Sequence, residues 1–134
     1  MMEWTPVIND KAITGNKQAY IAGPMSGYPE FNFPAFFEAE SKLKALGFTV
    51  WNPANKDGED GVLNTDAART GDDKALMDTG WSFEDAFLWD ITKVIQSRAI
   101  YMLKGWEQSM GAAAEHAVAV SMKRRYPDYE IIYQ

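Results

Sequence analysis

Short apolar runs alternate with amphipathic stretches along this chain. Ala19-Tyr20-Ile21-Ala22, Phe48-Thr49-Val50-Trp51, Ala99-Ile100-Tyr101-Met102-Leu103 and Tyr129-Glu130-Ile131-Ile132-Tyr133 are rich in aromatic and β-branched side chains, and turn formers lie near their ends. They read as strands. Between them, apolar residues recur at helical spacing. Phe36, Phe37, Ala39, Leu43 and Leu46 follow Pro34, which suits the first turn of a helix, and Gly47 supplies the stop. Phe83, Phe87, Ile91, Val94 and Ile95 follow Ser82, whose spacing to Asp85 resembles a capping box. An Ala-rich helix runs from the N-capping Ser109 to about Arg125, and Pro127 ends it.

Strands alternating with helices predict an α/β fold: a doubly wound, mainly parallel sheet of four to five strands, flavodoxin- or Rossmann-like, in one domain over residues 18–134. Residues 1–17 read as an N-terminal extension whose turn formers suit a small hairpin around Pro6-Val7-Ile8. Residues 54–74 are polar, acidic and Gly-containing, and read as a long loop with the length of a functional lid. Such sheets bind ligands at the carboxyl ends of their strands. The loops expected there are 23–33, 52–74 and 104–110.

Composition narrows the partners. The chain has 134 residues, with 13 Lys+Arg against 19 Asp+Glu, and its net charge of −6 argues against a nucleic-acid backbone partner. The absence of cysteine removes a disulfide framework, a thiolate metal site and a Cys nucleophile; with a single His, no transition-metal site is expected. No apolar run reaches the ~18 residues of a membrane span. Met1-Met2-Glu3-Trp4 has the pattern of no secretion signal. The expectation is a soluble, cytoplasmic domain with a small-molecule ligand, without metal or cofactor, and with no nucleic-acid or membrane partner.

Three polar features fall at the strand ends. Gly23-Pro24-Met25-Ser26-Gly27 follows the first strand; it reads equally as a turn or as a loop that lets backbone approach a ligand. It is neither a GxGxxG fingerprint nor a P-loop. Gly105 to His116 follows the third strand. There Ser109 opens a helix whose first turns are Gly and Ala, leaving the positive N-terminus uncovered for an anion such as phosphate. Glu115 lies six residues beyond Ser109, among small residues that give a carboxylate no packing role. Asp90 sits at the edge of the apolar stripe on the preceding helix. Alone it reads as a solvated charge; paired with Glu115 it supplies the two carboxylates that glycosidic cleavage commonly uses, expected about 5–6 Å apart in a retaining enzyme. His116 points about 100° away from Glu115 and reads as a packing residue. Trp51 and Trp106 lie at strand ends, where stacking on a base or burial in the core are both open.

Tyr20-Ile21-Ala22-Gly23-Pro24-Met25-Ser26-Gly27, Asn52-Pro53-Ala54, Asp90-Ile91 and Gly105-Trp106-Glu107-x-Ser109-x-Gly111-Ala112-x-x-Glu115-His116-Ala117 together resemble the nucleoside 2-deoxyribosyltransferase superfamily, over about residues 19–120. The resemblance is to a short branch common in phage and bacterial genomes, akin to 2′-deoxynucleoside 5′-monophosphate N-glycosidases. It implies that Glu115 is the nucleophile, that Asp90 assists protonation of the leaving base and that Tyr20 lines the sugar site. Gly23, Pro24, Met25, Ser26, Gly27, Asn52, Trp106, Ser109 and Gly111 are the matching candidates for substrate binding, with Ser109 at the spacing of a phosphate-binding Ser. Arg98 stands where relatives often carry Asp, and residues 54–81 match no motif of that superfamily; they are expected to shape base selection. A homodimer or larger assembly is also implied, for which Ala113, Ala117, Val118 and Val120 offer a small-residue face that suits the chain's own sheet equally well. The leading expectation is hydrolysis of nucleotides. The alternatives are base exchange between nucleosides and non-catalytic nucleotide binding.

Overall fold

The structure, a computed structural model, describes residues 17–134. The expected N-terminal hairpin lies outside the described residues. The four apolar runs form β1 (Gln18–Ala22), β2 (Thr49–Trp51), β3 (Ala99–Met102) and β4 (Glu130–Tyr133). They pair in the order β2-β1-β3-β4, and every pairing is parallel. β1 and β3 are central and almost wholly buried, as strands of a parallel sheet covered on both faces must be.

The helices are α1 (Phe33–Ala45), α2 (Pro53–Glu59), α3 (Asp73–Met77), α4 (Phe83–Gln96) and α5 (Met110–Arg125). Because side chains alternate along a strand, β1 serves two cores. Ala19 and Ile21 pack with Phe36 and Leu43 of α1, while Tyr20 and Ala22 pack with Val94 of α4 and with Ala112 and Ala119 of α5. The chain thus winds along one face from β1 to β2, then crosses to the other face to reach β3. This is a single-domain, flavodoxin-like α/β fold, with its winding reversal between β1 and β3. At such a switch point the flanking loops part and leave a crevice.

The expected caps are in place. Ser82 Oγ accepts from the Asp85 N–H at 3.1 Å, and Ser109 Oγ accepts from the Ala112 N–H at 3.2 Å. Arg98, just before β3, donates to Glu130 of β4 at 2.8 Å. Two expectations need correction. The segment 54–74 is not a loop: it folds into α2, two 3₁₀ turns (Val62–Asn64 and Asp66–Arg69) and the start of α3. Asn52 caps α2 through its side chain, accepting from Ala54 N–H at 2.9 Å, and Asp72 does the same for α3 at 3.1 Å. Val62, Ala67, Ala68 and Leu76 bury against Phe31, Phe33 and Phe36, so tertiary packing holds helices too short to persist alone. Along α4, only Val94 of the expected stripe is fully buried, and Phe83 stays 40% exposed. The first turns of α4 overhang the crevice instead of lying on the sheet.

The helical segment is tied to the loop after β1 through backbone. Gly27 N–H donates to the Gly71 carbonyl at 2.7 Å. Gly71 has φ +72°, and a Cβ there would overlap the Tyr28 carbonyl oxygen, so only glycine fits. The same loop contains a left-handed turn, Glu30–Phe31–Asn32, with φ of 56°, 50° and 63°. Such a conformation costs non-glycine residues about 1 kcal/mol or more each. It is fastened by Asn32, which donates to the Pro24 carbonyl at 2.9 Å, and it delivers Phe31 into the crevice wall.

Candidate active site

β1 aims Tyr20 at the face covered by α4 and α5, where both candidate carboxylates lie. Tyr20 Oη donates to Glu115 Oε2 at 3.0 Å; Tyr20 is 1% and Glu115 4% exposed. Asp90 joins them from α4, its carboxyl in hydrogen-bonding contact with both Glu115 and Tyr20. Three residues distant in sequence meet at one point because α4 and α5 pack side by side over β1 and β3. The two carboxyls are coupled electrostatically, and a shared proton lets two buried carboxyls stabilise each other in place of repelling.

The electrostatics follow from burial. Burial lifts the Glu115 carboxyl well above the usual carboxylate range, and the neighbouring Asp90 charge adds to it. Asp90 is pushed up to about 7, first by burial and then by the charge of Asp57; its hydrogen bonds to Glu115 and Tyr20 work the other way. Burial, reinforced by Glu115 and Asp90, pushes the Tyr20 phenol well above 10, so it remains a donor. The two carboxyls titrate as a unit. The Tyr20 hydrogen bond favours ionised Glu115. Contact between the carboxyls lowers Asp90 and raises Glu115, so the proton belongs to the pair.

A third carboxyl, absent from the sequence reading, faces the same crevice. Asp57 on α2 is 8% exposed and is pushed up to about 7 by burial, then by Asp60, against the opposing Lys56. Asn52 as cap and Pro53 as first helical residue were the available signal. They start a helix that carries Pro53 and Asp57, four residues apart, on one face. Both line the crevice.

Burial of Asp57 and Asp90 has a measurable consequence. Each keeps its proton in the folded protein at pH values where the unfolded chain, with a carboxyl near 3.8, has lost it. The folded state then binds more protons, so stability falls as pH rises. Urea or thermal unfolding is expected to show stability greatest near pH 4 and declining to about pH 7, by up to about 1.4 kcal/mol per pH unit for each such carboxyl. Stability that is flat or rises across that window contradicts this account.

The crevice encloses about 680 Å³ of empty space including its open mouth. Tyr20, Asp90, Glu115 and Asp57 make its polar side, and Phe31, Phe36, Trp81, Phe83 and Phe87 its aromatic walls. Met25, Ser26, Ser109 and Gly111 border both this space and an adjoining groove that also takes in Pro24. The N–H groups of Met110 and Gly111 belong to the first helical turn, where no intrahelical carbonyl is available. Gly23 lines the crevice too, and a Cβ there would meet Leu103 Cβ at 2.7 Å.

Three expected binding residues line neither the crevice nor the adjoining groove. Gly27 (φ +83°) serves the backbone tie to Gly71. Asn52 is turned inward, capping α2 and donating to the Phe36 carbonyl at 3.3 Å and to Glu40 at 3.0 Å. Trp106 packs away from it, its ring centroid 4.1 Å from that of His116, whose Nε2 lies 2.8 Å from the Tyr133 hydroxyl. Trp51 also lies elsewhere, against Trp89 and beneath Lys93 Nζ at 4.0 Å. Among the described residues no His/Asp/Glu cluster has the geometry to hold a metal ion, and no helix is long and apolar enough to cross a membrane.

Fold and site together define a class: a doubly wound α/β domain whose switch-point crevice carries a buried Tyr–carboxyl–carboxyl group. Within that class, the chain belongs to the family described as Domain of unknown function (DUF4406), which matches residues 17–125 and so spans every crevice residue named above. No curated protein and no solved structure matches the chain.

Proposed function

We propose that this protein cleaves the base–sugar bond of (deoxy)nucleoside 5′-monophosphates through a covalent glycosyl-Glu115 intermediate. The observation that carries this reading is the buried Tyr20–Glu115–Asp90 group at the base of an aromatic-walled crevice. The resemblance to the nucleoside 2-deoxyribosyltransferase superfamily supports it. The Glu115 carboxylate attacks C1′ while the C1′–N bond breaks, and the proton of Asp90 goes to the departing base nitrogen. Asp90, now ionised, takes a proton from water as that water attacks C1′, which releases the sugar and restores Glu115. Tyr20 orients the nucleophile. The sugar enters by parting the carboxyl–carboxyl contact toward the roughly 5 Å that retaining glycosidases use. No metal or organic cofactor has a role.

The 5′-phosphate is placed at the α5 N-terminus, between Ser109 and Ser26, where hydroxyls, free N–H groups and the helix dipole converge. One observation favours a second reading, base exchange between neutral nucleosides: Asp73 and Glu84 border the same groove, and none of its lining residues is Arg or Lys. Chromatography of base release from a panel of monophosphates and nucleosides, with and without an acceptor base, separates the two. Ser109→Ala is expected to weaken monophosphate substrates about tenfold or more and to spare free nucleosides. Equal loss for both classes, or no preference for monophosphates in wild type, makes base exchange the better reading. Binding without product leaves a nucleotide-sequestering protein. We place the protein in the cytoplasm as a homodimer or larger assembly without nucleic-acid or membrane partners. Its acidic balance and the exposed Ala117 and Val120 of α5 agree with that placement.

A further inference from the structure

We infer that Asp57 reads the base: its carboxyl receives the amino N–H of a planar heterocycle held between the aromatic walls, so the site prefers amino-bearing bases to counterparts that lack the amino group. The inference rests on the nucleotide reading above and names the substrate class that reading leaves open.

Asp57 differs from the other buried polar groups of the crevice. Glu115 is bound by Tyr20, and Asp90 contacts both. Asp57 is more than nine-tenths buried, borders the crevice and has no hydrogen-bond partner among the described residues. The cation beside it in sequence is engaged elsewhere: Lys56 Nζ binds Asp60 Oδ2 at 2.8 Å. A carboxyl desolvated without a donor is costly, and among the described residues the charge of Lys56 offsets only part of that cost. A ligand donor offsets the rest.

Position selects which part of the ligand supplies it. Asp57 lines the crevice together with Trp81, Phe83 and Phe87, and the helix that carries Phe83 and Phe87 also carries Asp90, the proton donor to the base in the reading above. That reading therefore puts Asp57 on the base side of the bond to be cleaved. Its surroundings suit a flat ring. Phe83 and Phe87 are stacked with centroids 5.5 Å apart, and Trp81 meets Phe83 edge-on at 6.5 Å. A phosphate is excluded as the partner, since three carboxyls converge here. With a proton affinity near neutrality, Asp57 can meet either two N–H donors, as guanine presents, or an amino group beside a ring nitrogen, as cytosine presents.

The test is equilibrium binding to the full chain carrying Glu115→Gln, which keeps the ligands intact, followed by calorimetry or tryptophan fluorescence. Deoxyguanosine monophosphate is expected to bind at least about tenfold tighter than deoxyinosine monophosphate, and the deoxycytidine compound likewise over deoxyuridine. Adding Asp57→Asn or Asp57→Ala is expected to bring both ratios to within about threefold without lowering the melting temperature, because a buried carboxyl without a donor is lost. Two variants are used so that a folding failure in one leaves the other informative. Ligands without the amino group bound as tightly as amino ligands, or ratios unchanged by both Asp57 variants, overturn the assignment. Wild type that releases base without amino preference overturns it and leaves the glycosidase reading standing. Asp57-dependent amino preference with no base release from any substrate supports it and overturns the glycosidase reading instead. Failure of all four nucleotides to bind overturns both.

Discussion

Glu115→Gln is expected to lower base release by about 10³-fold or more while the melting temperature holds or rises. The substituted amide has the same size, and its oxygen still accepts the Tyr20 hydroxyl that reaches Glu115 at 3.0 Å. Packing against α4 and β1 is therefore kept. What is lost is the only property that bond-making requires, an ionised oxygen able to attack C1′. A buried carboxyl lifted far above its usual range also penalises folding near neutrality, so removing it relieves the folded state. Base release by chromatography and melting by calorimetry check the two halves. A 2′-fluoro nucleotide analogue should leave a mass adduct on the peptide containing Glu115. Activity within tenfold of wild type, or an adduct on a different carboxylate, removes Glu115 from the nucleophilic role.

Asp90→Asn is expected to slow cleavage by about 10²- to 10⁴-fold for bases that depart reluctantly, and much less for good leaving groups. The dependence on leaving group follows from its proposed role: Asp90 delivers a proton to the departing base, and that proton matters most when the base is a poor anion. The pH profile adds a second check. Asp90 is pushed up to about 7, so the acid form declines as pH rises through that value, and wild-type rates should fall on the alkaline side. Asn has no such proton, and this alkaline limb should vanish in the variant. A loss equal for all bases, with the limb intact, identifies Asp90 as a positioning group.

The architecture was largely readable because its signals are local and redundant. Ala99-Ile100-Tyr101-Met102 is apolar on both faces, as a central parallel strand must be, and Ser82, Ser109 and Pro34 mark helix starts by chemistry that operates within one turn. The helices between Pro53 and Met77 were not readable, because α2 and α3 span seven and five residues, too few for a period to repeat. Their apolar content, Val62, Ala67 and Leu76, acquires meaning only against Phe31 and Phe36. Asp57 was hidden for a related reason: beside Lys56, Glu59 and Asp60 it looks like one more solvated charge, and only the turn of α2 directs it inward. Asn52 and Trp106 were misplaced by the opposite error. A position at a strand end does not by itself put a side chain in the crevice: Asn52 turns back to cap its own helix and Trp106 folds over His116. Tyr20, Asp90 and Glu115 converge because alternation along β1 and the packing of α4 on α5 agree on a single face.

The contact of Gly71 with the Tyr28 backbone, with the hydrogen bond from Gly27 beside it, carries a lesson about how this site can diversify. It rivets the wall that holds Asp57 and Trp81 to the loop that holds Met25 and Ser26. The contact is made by main chain, so it is indifferent to most side chains on either part. Residues facing the crevice from 53–81 are thus free to vary, and to retune which ring is admitted, while the frame that fixes the reacting end stays put. A variant that breaks the rivet has no such freedom, because it detaches recognition from chemistry in a single step.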